Sequence, residues 1–307
     1  MTLLLLLACA APTPEHTGVA DTAPPADTAP DETAPMEVAF RYVVLADPHV
    51  TVPAGEALDR LDRAVAWVNA EREARDLRLV LVVGDIAWAD GLDAARASLD
   101  ALTIPYVPLN GDNEVQAGWE EAYHTAFATQ YDALAATFPD WTMAPVEVQN
   151  PEHDAPSWFH NVAFSYAGVR FLGLDWASRT IGGLQGEFGE LHDFEGGTFP
   201  FFEAQIAAAA GGAQENVVMF GHIPMHFLAF DLDEMERIRA VTAPLADHVW
   251  ADLAGHYHAS ASETVEDAGY DLHVTDATWD DDVELRIVEV HTNGARFAPT
   301  TELVVVP

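Results

Sequence analysis

The chain has 307 residues, of which half are hydrophobic, so one large core fits within a single domain and no second domain is required. Fifty acidic residues against 13 basic ones give a formal net charge of −37, and such a surface repels a nucleic-acid backbone, so we expect no duplex binding. Cys9 is the only cysteine, which excludes an intramolecular disulfide.

The first ten residues, MTLLLLLACA, form an apolar run that is shorter than the roughly 20 residues of a membrane-spanning helix. The run is typical of a targeting segment. Leu6-Leu7-Ala8-Cys9 resembles a bacterial lipobox, which implies cleavage before Cys9 and attachment of a lipid to it. No positive side chain precedes the run, which leaves open a true start further upstream. The alternatives to the lipobox are an ordinary cleaved signal and a disordered apolar tail.

Residues 11–37 are rich in Thr, Ala, Pro, Asp and Glu and contain too little apolar surface for a core. This composition predicts a disordered polar tether. Together with a lipid on Cys9, the tether predicts an exported protein anchored to a membrane, on its periplasmic or extracellular face. Residues 38–307 are predicted to form the single folded domain.

From Phe40 onward, apolar runs of strand length alternate with helical periodicity, which predicts an α/β fold. The pattern predicts helices over 58–68, 92–102, 118–138 and 200–210. It predicts strands, in chain order, over 41–46, 79–83, 106–109, 159–166, 169–174, 217–220, 249–254, 272–274, 283–290 and 303–306. Ala167-Gly168 between two of these strands indicates a hairpin.

Five of the predicted strands are followed directly by polar clusters that suit metal ions. In chain order these are Asp47-Pro48-His49, Gly84-Asp85, Gly111-Asp112-Asn113-Glu114, Gly221-His222 and Gly255-His256-Tyr257-His258. Sites in open α/β sheets form outside the carboxyl ends of the strands, so these side chains are expected to converge. Carboxylate and imidazole ligands together favour divalent ions such as Mn, Fe or Zn. The preceding glycines are expected to let the backbone turn sharply off each strand.

The order of these motifs resembles that of the calcineurin-like metallophosphoesterases over nearly all of residues 40–260. The resemblance implies a four-layer αββα sandwich with mixed sheets and metals at the carboxyl ends of the strands. It also implies two divalent metal ions. The implied ligands are Asp47, His49 and His258 for one ion, His222 and His256 for the other, Asp85 as a bridge between them, and Asp112 where the family usually has Asn.

The resemblance further implies hydrolysis of phosphate monoesters or diesters by a hydroxide that bridges the metals. One departure concerns the family's catalytic histidine, because Asn113 stands in its place. An amide cannot protonate a leaving group, although it can hydrogen-bond a phosphoryl oxygen. His226 is a candidate replacement acid, and its alternative role is that of a surface or supporting histidine. Glu114 is interpreted as a support for its loop.

Two other function classes stand beside the hydrolase. The first is a catalytically impaired, metal-binding surface lipoprotein that lost turnover with the histidine. The second is a nucleotide- or sugar-binding module, although no glycine-rich fingerprint follows Ala46 or Val83. For the hydrolase, the expected substrate is a phosphorylated small molecule or lipid. The histidines interpreted as structural or exposed are His124, His153, His160, His192, His248, His273 and His291.

Overall fold

The computed structural model describes residues 33–307, except 53–54, 89, 117, 180–185, 212–215, 247, 266–267 and 281. Cys9, the lipobox and most of the predicted tether lie outside the described residues. Within the described part of the chain, no helix has both the length and the apolar character needed to cross a membrane.

Fourteen described strands form two large sheets and one small one. A five-stranded sheet has the order β14 (Phe297–Val305), β13 (Glu284–Thr292), β1 (Glu37–Leu45), β2 (Leu77–Val83) and β3 (Tyr106–Leu109). A seven-stranded sheet has the order β11 (Ala261–Val265), β12 (Tyr270–Val274), β10 (Val249–Ala254), β9 (Asn216–Phe220), β8 (Val169–Gly173), β7 (Val162–Tyr166) and β4 (Thr142–Met143). The small sheet pairs β5 (Glu147–Asn150) with β6 (Ala155–Trp158).

The two large sheets pack face to face. The Tyr42 ring on β1 lies edge-on to Phe171 on β8, with 5.3 Å between ring centroids. Along β9 the side chains alternate, because Val218 belongs to the core between the sheets while Val217 and Met219 belong to a second core on the other face. This alternation shows that the seven-stranded sheet is covered on both faces.

The helices complete two outer layers. The described α-helices are α1 (Glu56–Glu71), α2 (Leu92–Leu99), α3 (Glu120–Thr137), α4 (Thr198–Ala210) and α5 (Leu232–Thr242), followed by a short 3₁₀ turn at Ala243–Leu245. Buried side chains of α1, α2 and α3 join the first core, which contains residues from both faces of the five-stranded sheet. Those of α4 and α5 join the second core, on the outer face of the seven-stranded sheet. The layers therefore run helix, sheet, sheet, helix, and the αββα arrangement expected from the sequence is confirmed.

The topology brings several parallel strand ends to one edge of the sandwich. Strands β1, β2 and β3 are parallel neighbours in one sheet, and β8, β9 and β10 are parallel neighbours in the other. An isolated parallel bridge between Ala46 and Ala277 joins the end of β1 to the segment that follows β12. The carboxyl ends of strands from both sheets therefore meet at the polar clusters that the sequence singles out.

The strand and helix predictions hold for most of the domain, with shifted ends. Strand β1 begins at Glu37 rather than Arg41, and the first strand of the hairpin begins at Val162 rather than Phe159. The sequence patterns do not predict β4, β5, β6, β11 or α5. Strand β4 has only two residues, and β5 and β6 lack the continuous apolar run that marks the equally short β3. Helix α5 begins in an acidic stretch, where Glu234 accepts a hydrogen bond from the backbone N–H of Asp231.

Candidate metal centre

The residues after the strand ends adopt an uncommon backbone conformation. Five of the predicted ligands have positive φ angles: Asp47 at 49°, His49 at 48°, Asp85 at 48°, His256 at 73° and His258 at 47°. Non-glycine residues pay for this conformation and keep it only where the surrounding structure holds them. The sharp turns therefore occur mainly at the ligand residues themselves.

The main role of the glycines before the ligands is to leave space for the neighbouring carboxylates, and most of them do not adopt the left-handed conformation. A Cβ atom on Gly111 would lie 2.3 Å from Asp85 Oδ1, and one on Gly255 would lie 2.4 Å from Asp47 Oδ2. Only Gly84, of the four glycines before the ligands, has a positive φ, of 80°. The absence of a side chain at Gly111 and Gly255 lets the backbone approach the metal centre closely.

Asp47, His49 and His258 form the first cluster of possible ligands, with one donor atom from each lying within 4.8 Å of the others. Asp47 Oδ1 is 3.7 Å from His49 Nε2 and 3.6 Å from His258 Nε2. Asp47 is fully buried, and its carboxylate accepts a hydrogen bond from the backbone N–H of His256. Three ligands predicted from the end of β1 and the end of β10 are thus brought together.

Asp112, His222 and His256 form the second cluster within the same 4.8 Å limit. Asp112 Oδ1 lies 2.7 Å from His222 Nε2 and 3.2 Å from His256 Nδ1. The remaining ring nitrogens face backbone carbonyls, because His222 Nδ1 donates to Val83 and His256 Nε2 donates to Glu187. These hydrogen bonds leave His222 Nε2 and His256 Nδ1 as the atoms that can bind a metal.

Asp85 lies between the two clusters. Its Oδ2 atom is 3.3 Å from His49 Nε2, and its Oδ1 atom is 3.4 Å from His222 Nε2. Oδ1 also accepts a hydrogen bond of 2.9 Å from the backbone N–H of Asn113. One carboxylate oxygen therefore faces each cluster.

The electrostatics of the centre are dominated by crowded, buried carboxylates. Burial raises the pKa of Asp85, although the nearby charge of His222 opposes the rise. Burial also acts to raise the pKa of Asp47, but its interactions with His258 and His49 outweigh that effect and hold the pKa well below its usual range. Burial lowers the pKa of His222, yet the Asp85 charge and the other carboxylates raise it well above its ordinary value. A metal ion bound here would therefore displace a proton from His222.

These residues fit a pair of divalent ions. His49 Nε2 is buried and has no hydrogen-bond partner, although it faces the carboxylates of Asp47 and Asp85. A buried donor atom of this kind is satisfied when it ligates a metal. The nitrogen and oxygen ligands of both clusters suit Mn, Fe or Zn.

Asn113 and Glu114 support the loop after β3. Asn113 is almost fully buried, at 2% exposure, and its amide Nδ2 lies 3.1 Å from His49 Nδ1. The Glu114 carboxylate accepts hydrogen bonds from the backbone N–H groups of Ala87 and Gly111, and burial raises its pKa to about 7. Glu114 thus supports its loop, as the sequence suggests.

His226 is held by partners on both ring nitrogens. Its Nε2 atom is 2.8 Å from a Glu263 oxygen, and its Nδ1 atom accepts a hydrogen bond from the backbone N–H of Leu228. The ring also packs against Phe227, with 4.0 Å between ring centroids. This environment favours the supporting role over that of a replacement acid.

Aromatic side chains border the centre. The Trp279 ring lies 5.4 Å from the His49 ring and 5.9 Å from the His258 ring, between centroids. Trp279 is not among the site residues predicted from the sequence. The sequence feature that could have indicated it is its position a few residues after the end of β12. Trp88, 38% exposed, packs edge-on against Trp119, whereas Trp176 is buried in the core.

No protein-family model matches the sequence, and a search of curated proteins found no match. Solved structures resemble it more clearly. A purple acid phosphatase from yellow lupin (Lupinus luteus) has a TM-score of 0.50 and 13% identity, with 86% of this chain and 51% of that one covered. A protein assigned as a 5′-nucleotidase from Staphylococcus aureus has a TM-score of 0.52 and 11% identity, with 87% and 54% covered. A sulfate thiohydrolase from Thermus thermophilus has a TM-score of 0.51 and 14% identity, with 89% and 57% covered.

The chain has the calcineurin-like metallophosphoesterase fold. This fold places the two clusters at the edge where the strand ends of both sheets meet. At sequence identities of 11% to 14%, the similarity to these three proteins is a similarity of fold alone. The chain also spans only 51% to 57% of the length of these three proteins.

Proposed function

We propose that this chain is a dinuclear, metal-dependent phosphoesterase that hydrolyses phosphate monoesters or diesters. The observation that carries the proposal is the position of Asp85, whose two oxygens lie 3.3 Å from His49 Nε2 and 3.4 Å from His222 Nε2. A carboxylate with one oxygen toward each cluster can bridge two ions roughly 3.5–4 Å apart, the spacing of two-metal hydrolytic sites.

Each ion has its own ligands in this proposal. Asp47, His49 and His258 would hold one ion, and Asp112, His222 and His256 would hold the other, with Asp85 between them. Bound ions would supply the electrophilic charge that polarises a phosphoryl oxygen and lowers the pKa of a bound water. The hydrogen bonds from His222 to Val83 and from His256 to Glu187 fix both rings in the orientation that metal binding requires.

The described part of the centre contains no evident acid for the leaving group. The Asn113 amide does not ionise near neutral pH and so is no general acid, and both nitrogens of His226 already have partners. A positioned general acid usually contributes about 10²–10⁴-fold to the rate. The enzyme is therefore expected to prefer activated aryl esters over alkyl esters, whose leaving groups are poor.

The proteins of similar fold also support the proposal. Two of them are a purple acid phosphatase and a protein assigned as a 5′-nucleotidase, so phosphate esters are the first substrates to test. The third is a sulfate thiohydrolase, which makes an aryl sulfate the appropriate competing substrate. Aromatic side chains at the centre, such as Trp279, are compatible with an aryl leaving group.

Two measurements test the proposal on the purified chain. The first is elemental analysis of bound metal after loading with Mn, Fe or Zn, in the parent and in Asp85→Ala. The second is kcat/KM for an aryl phosphate monoester, an aryl diester, a nucleotide and an aryl sulfate. Asp85→Ala is expected to disturb both ions of the centre and to abolish hydrolysis. Asp59→Ala, which alters an exposed carboxylate on α1, is the matched control and should change neither.

The possible outcomes are distinct. A chain that binds no metal under loading conditions, or an Asp85→Ala variant that keeps both ions tightly, would contradict the dinuclear centre. Intact metal binding without hydrolysis of any ester would select the non-catalytic, metal-binding alternative. Preference for the aryl sulfate would reassign the substrate class and leave the metal centre in place.

A further inference from the structure

A second group of metal-capable side chains is assembled from parts of the chain that the metal centre does not use. It consists of Glu152, Glu190 and His192, whose donor atoms all lie within 4.8 Å of one another. Glu152 comes from the turn between β5 and β6, and the other two come from the segment between β8 and α4. Glu152 lies in the turn of an antiparallel hairpin, away from the edge at which the parallel strands end.

His192 presents a buried nitrogen without a partner to this group. The residue is 1% exposed, and its Nε2 atom donates a hydrogen bond of 3.0 Å to the carbonyl of Ala177. Its Nδ1 atom therefore carries the lone pair, is buried, and has no hydrogen-bond partner. Nδ1 lies 3.8 Å from a Glu190 oxygen, which is too long for a hydrogen bond.

The carboxyl groups of Glu152 and Glu190 lie close together, and as two carboxylates they repel each other. Burial lowers the pKa of His192 to about 4, so the ring is neutral near pH 7 and its lone pair faces a carboxylate. The carboxyl groups of Glu152 and Glu190 hydrogen-bond each other, which raises the pKa of Glu152 to about 7. The nearby Arg179 guanidinium pairs with Asp175, and the backbone N–H of Arg179 donates a 3.0 Å hydrogen bond to the Glu190 carboxylate. Two carboxyl groups that share a proton therefore face an imidazole lone pair.

We infer that Glu152, Glu190 and His192 form a third metal site, which binds a divalent cation such as Zn²⁺ or Mn²⁺. Two carboxylates and one imidazole are a ligand set that these ions accept, with water completing the coordination. The cation would lie between His192 Nδ1 and the two carboxylates and would satisfy all three. This inference rests on these three residues and not on the proposed hydrolysis.

The third site is linked to the metal centre through the backbone. Residues 187–192 are held by a bridge between Ala177 and Gly189 and by a hydrogen bond from the Glu190 N–H to the carbonyl of Trp176. In the same segment, the carbonyl of Glu187 accepts the hydrogen bond that orients His256. A cation on Glu190 and His192 would therefore stabilise the segment that positions a ligand of the main centre, which makes its role structural.

The test uses an exposed ligand, because changing the buried His192 risks the fold. The full chain, Glu152→Gln and Glu195→Gln are loaded with Mn²⁺ alone and with Zn²⁺ alone, freed of loosely bound ions, and analysed for metal per chain. Glu195→Gln is the matched control, because it alters an exposed glutamate in the same segment that is outside the group. We expect Glu152→Gln to hold one ion fewer than the parent, or to bind that ion at least tenfold more weakly, and the control to match the parent.

Thermal unfolding gives a readout that is independent of catalysis. Added Mn²⁺ should raise the Tm of Asp85→Ala through the third site, and the double variant Asp85→Ala/Glu152→Gln should lose that rise. Equal metal content and an equal metal-dependent Tm in the parent and Glu152→Gln would overturn the inference. Failure of the dinuclear centre would instead appear as an Asp85→Ala variant with the parent's metal content, so the two proposals fail separately.

Discussion

At the scale of single residues, Asn113 lies beside His49, one of the predicted metal ligands. When His49 Nε2 faces the carboxylates as a ligand, His49 Nδ1 carries the proton and needs an acceptor. An amide can present either its oxygen or its nitrogen, so Asn113, 3.1 Å away, can accept this hydrogen bond through its oxygen. Contact of Asn113 with a phosphoryl oxygen stays a prediction, and its buried position beside His49 supports a second role, that of orienting the His49 ring.

The first prediction follows from that contact. Asn113→Ala should weaken binding of the ion on His49 by about 10–100-fold, the usual effect of removing a partner that orients a metal ligand. Asn113→Asp retains an acceptor and should stay close to the parent. Competition with a fluorescent chelator measures both affinities. Equal affinity in the alanine variant and the parent would show that Asn113 does not orient His49.

At the scale of elements, a buried ion network ties α3 to the segment after β8. Arg179 is 2% exposed and pairs with Asp175, at 2.7 Å, and with Glu120 on α3, also at 2.7 Å. The same guanidinium donates to the carbonyl of Trp158. Burial opposes the charge of Arg179, but Asp175 and Glu120 raise its pKa above the already high ordinary value. The arginine therefore stays charged and joins α3, the end of β6 and the segment after β8.

The second prediction concerns this network. Arg179→Met should lower the free energy of unfolding by about 3–5 kcal/mol, because it leaves buried carboxylates without their partner. Arg78→Met removes a half-exposed pair with Asp76 and should cost about 1 kcal/mol or less. Urea unfolding of the two variants measures the difference. Similar losses in both would mean that the buried network contributes little.

Strand β10 carries a buried carboxyl group that makes stability depend on pH. Asp252 is 2% exposed and accepts a hydrogen bond of 2.8 Å from the backbone N–H of Met225, and its burial raises its pKa to about 7. The folded state therefore holds this proton more tightly than the unfolded state does, where the pKa is about 4. The favourable contribution is complete below about pH 4 and is lost as the pH rises to about 7.

The third prediction is the effect of Asp252→Asn on that dependence. The parent should lose up to about 1.4 kcal/mol of stability per pH unit, relative to the variant, between about pH 4 and pH 7. The variant should consequently be the more stable protein at pH 8, and the difference should shrink toward pH 4. Urea unfolding at several pH values measures it. A constant difference across that range would show that folding does not raise the pKa of Asp252.

At the scale of the whole molecule, the folded domain follows a long acidic segment and the single cysteine. The net charge of −37 favours solubility and disfavours contact with anionic surfaces. A lipid on Cys9 would hold such a protein at a membrane, and residues 11–37 would leave the domain at a distance from it. Membrane anchoring through Cys9 is therefore our proposal for the localisation.

The fourth prediction tests the anchor. Cys9→Ser should release the protein from the membrane fraction of a bacterial host that processes lipoproteins, because the site of lipid attachment is lost. Thr17→Ser, which alters a polar residue in the predicted tether, is the control and should fractionate like the parent. Mass spectrometry of the mature chain should find a lipidated Cys9. An unmodified cysteine, or equal membrane association of the serine variant, would refute the proposal.

The sequence by itself determined most of the α/β elements and the residue types of the metal centre. Strand-length apolar runs are local patterns, and so are the clusters that follow them, from Asp47 to His258. Parallel strands place their carboxyl ends at one edge of a sheet, so a local position becomes a spatial one through a general rule. That rule is the physical reason why ligands from five separate strand ends can be predicted together.

Only the tertiary structure decided the contacts that follow no such rule. His222 and Asp112 are 110 residues apart in the sequence, and their distance of 2.7 Å depends on how the two sheets pack. The left-handed conformations of the ligand residues are held by that packing and cannot be predicted from the sequence pattern. The group of Glu152, Glu190 and His192 comes from loops. Loop contacts depend on interactions between distant segments, which a local pattern does not contain.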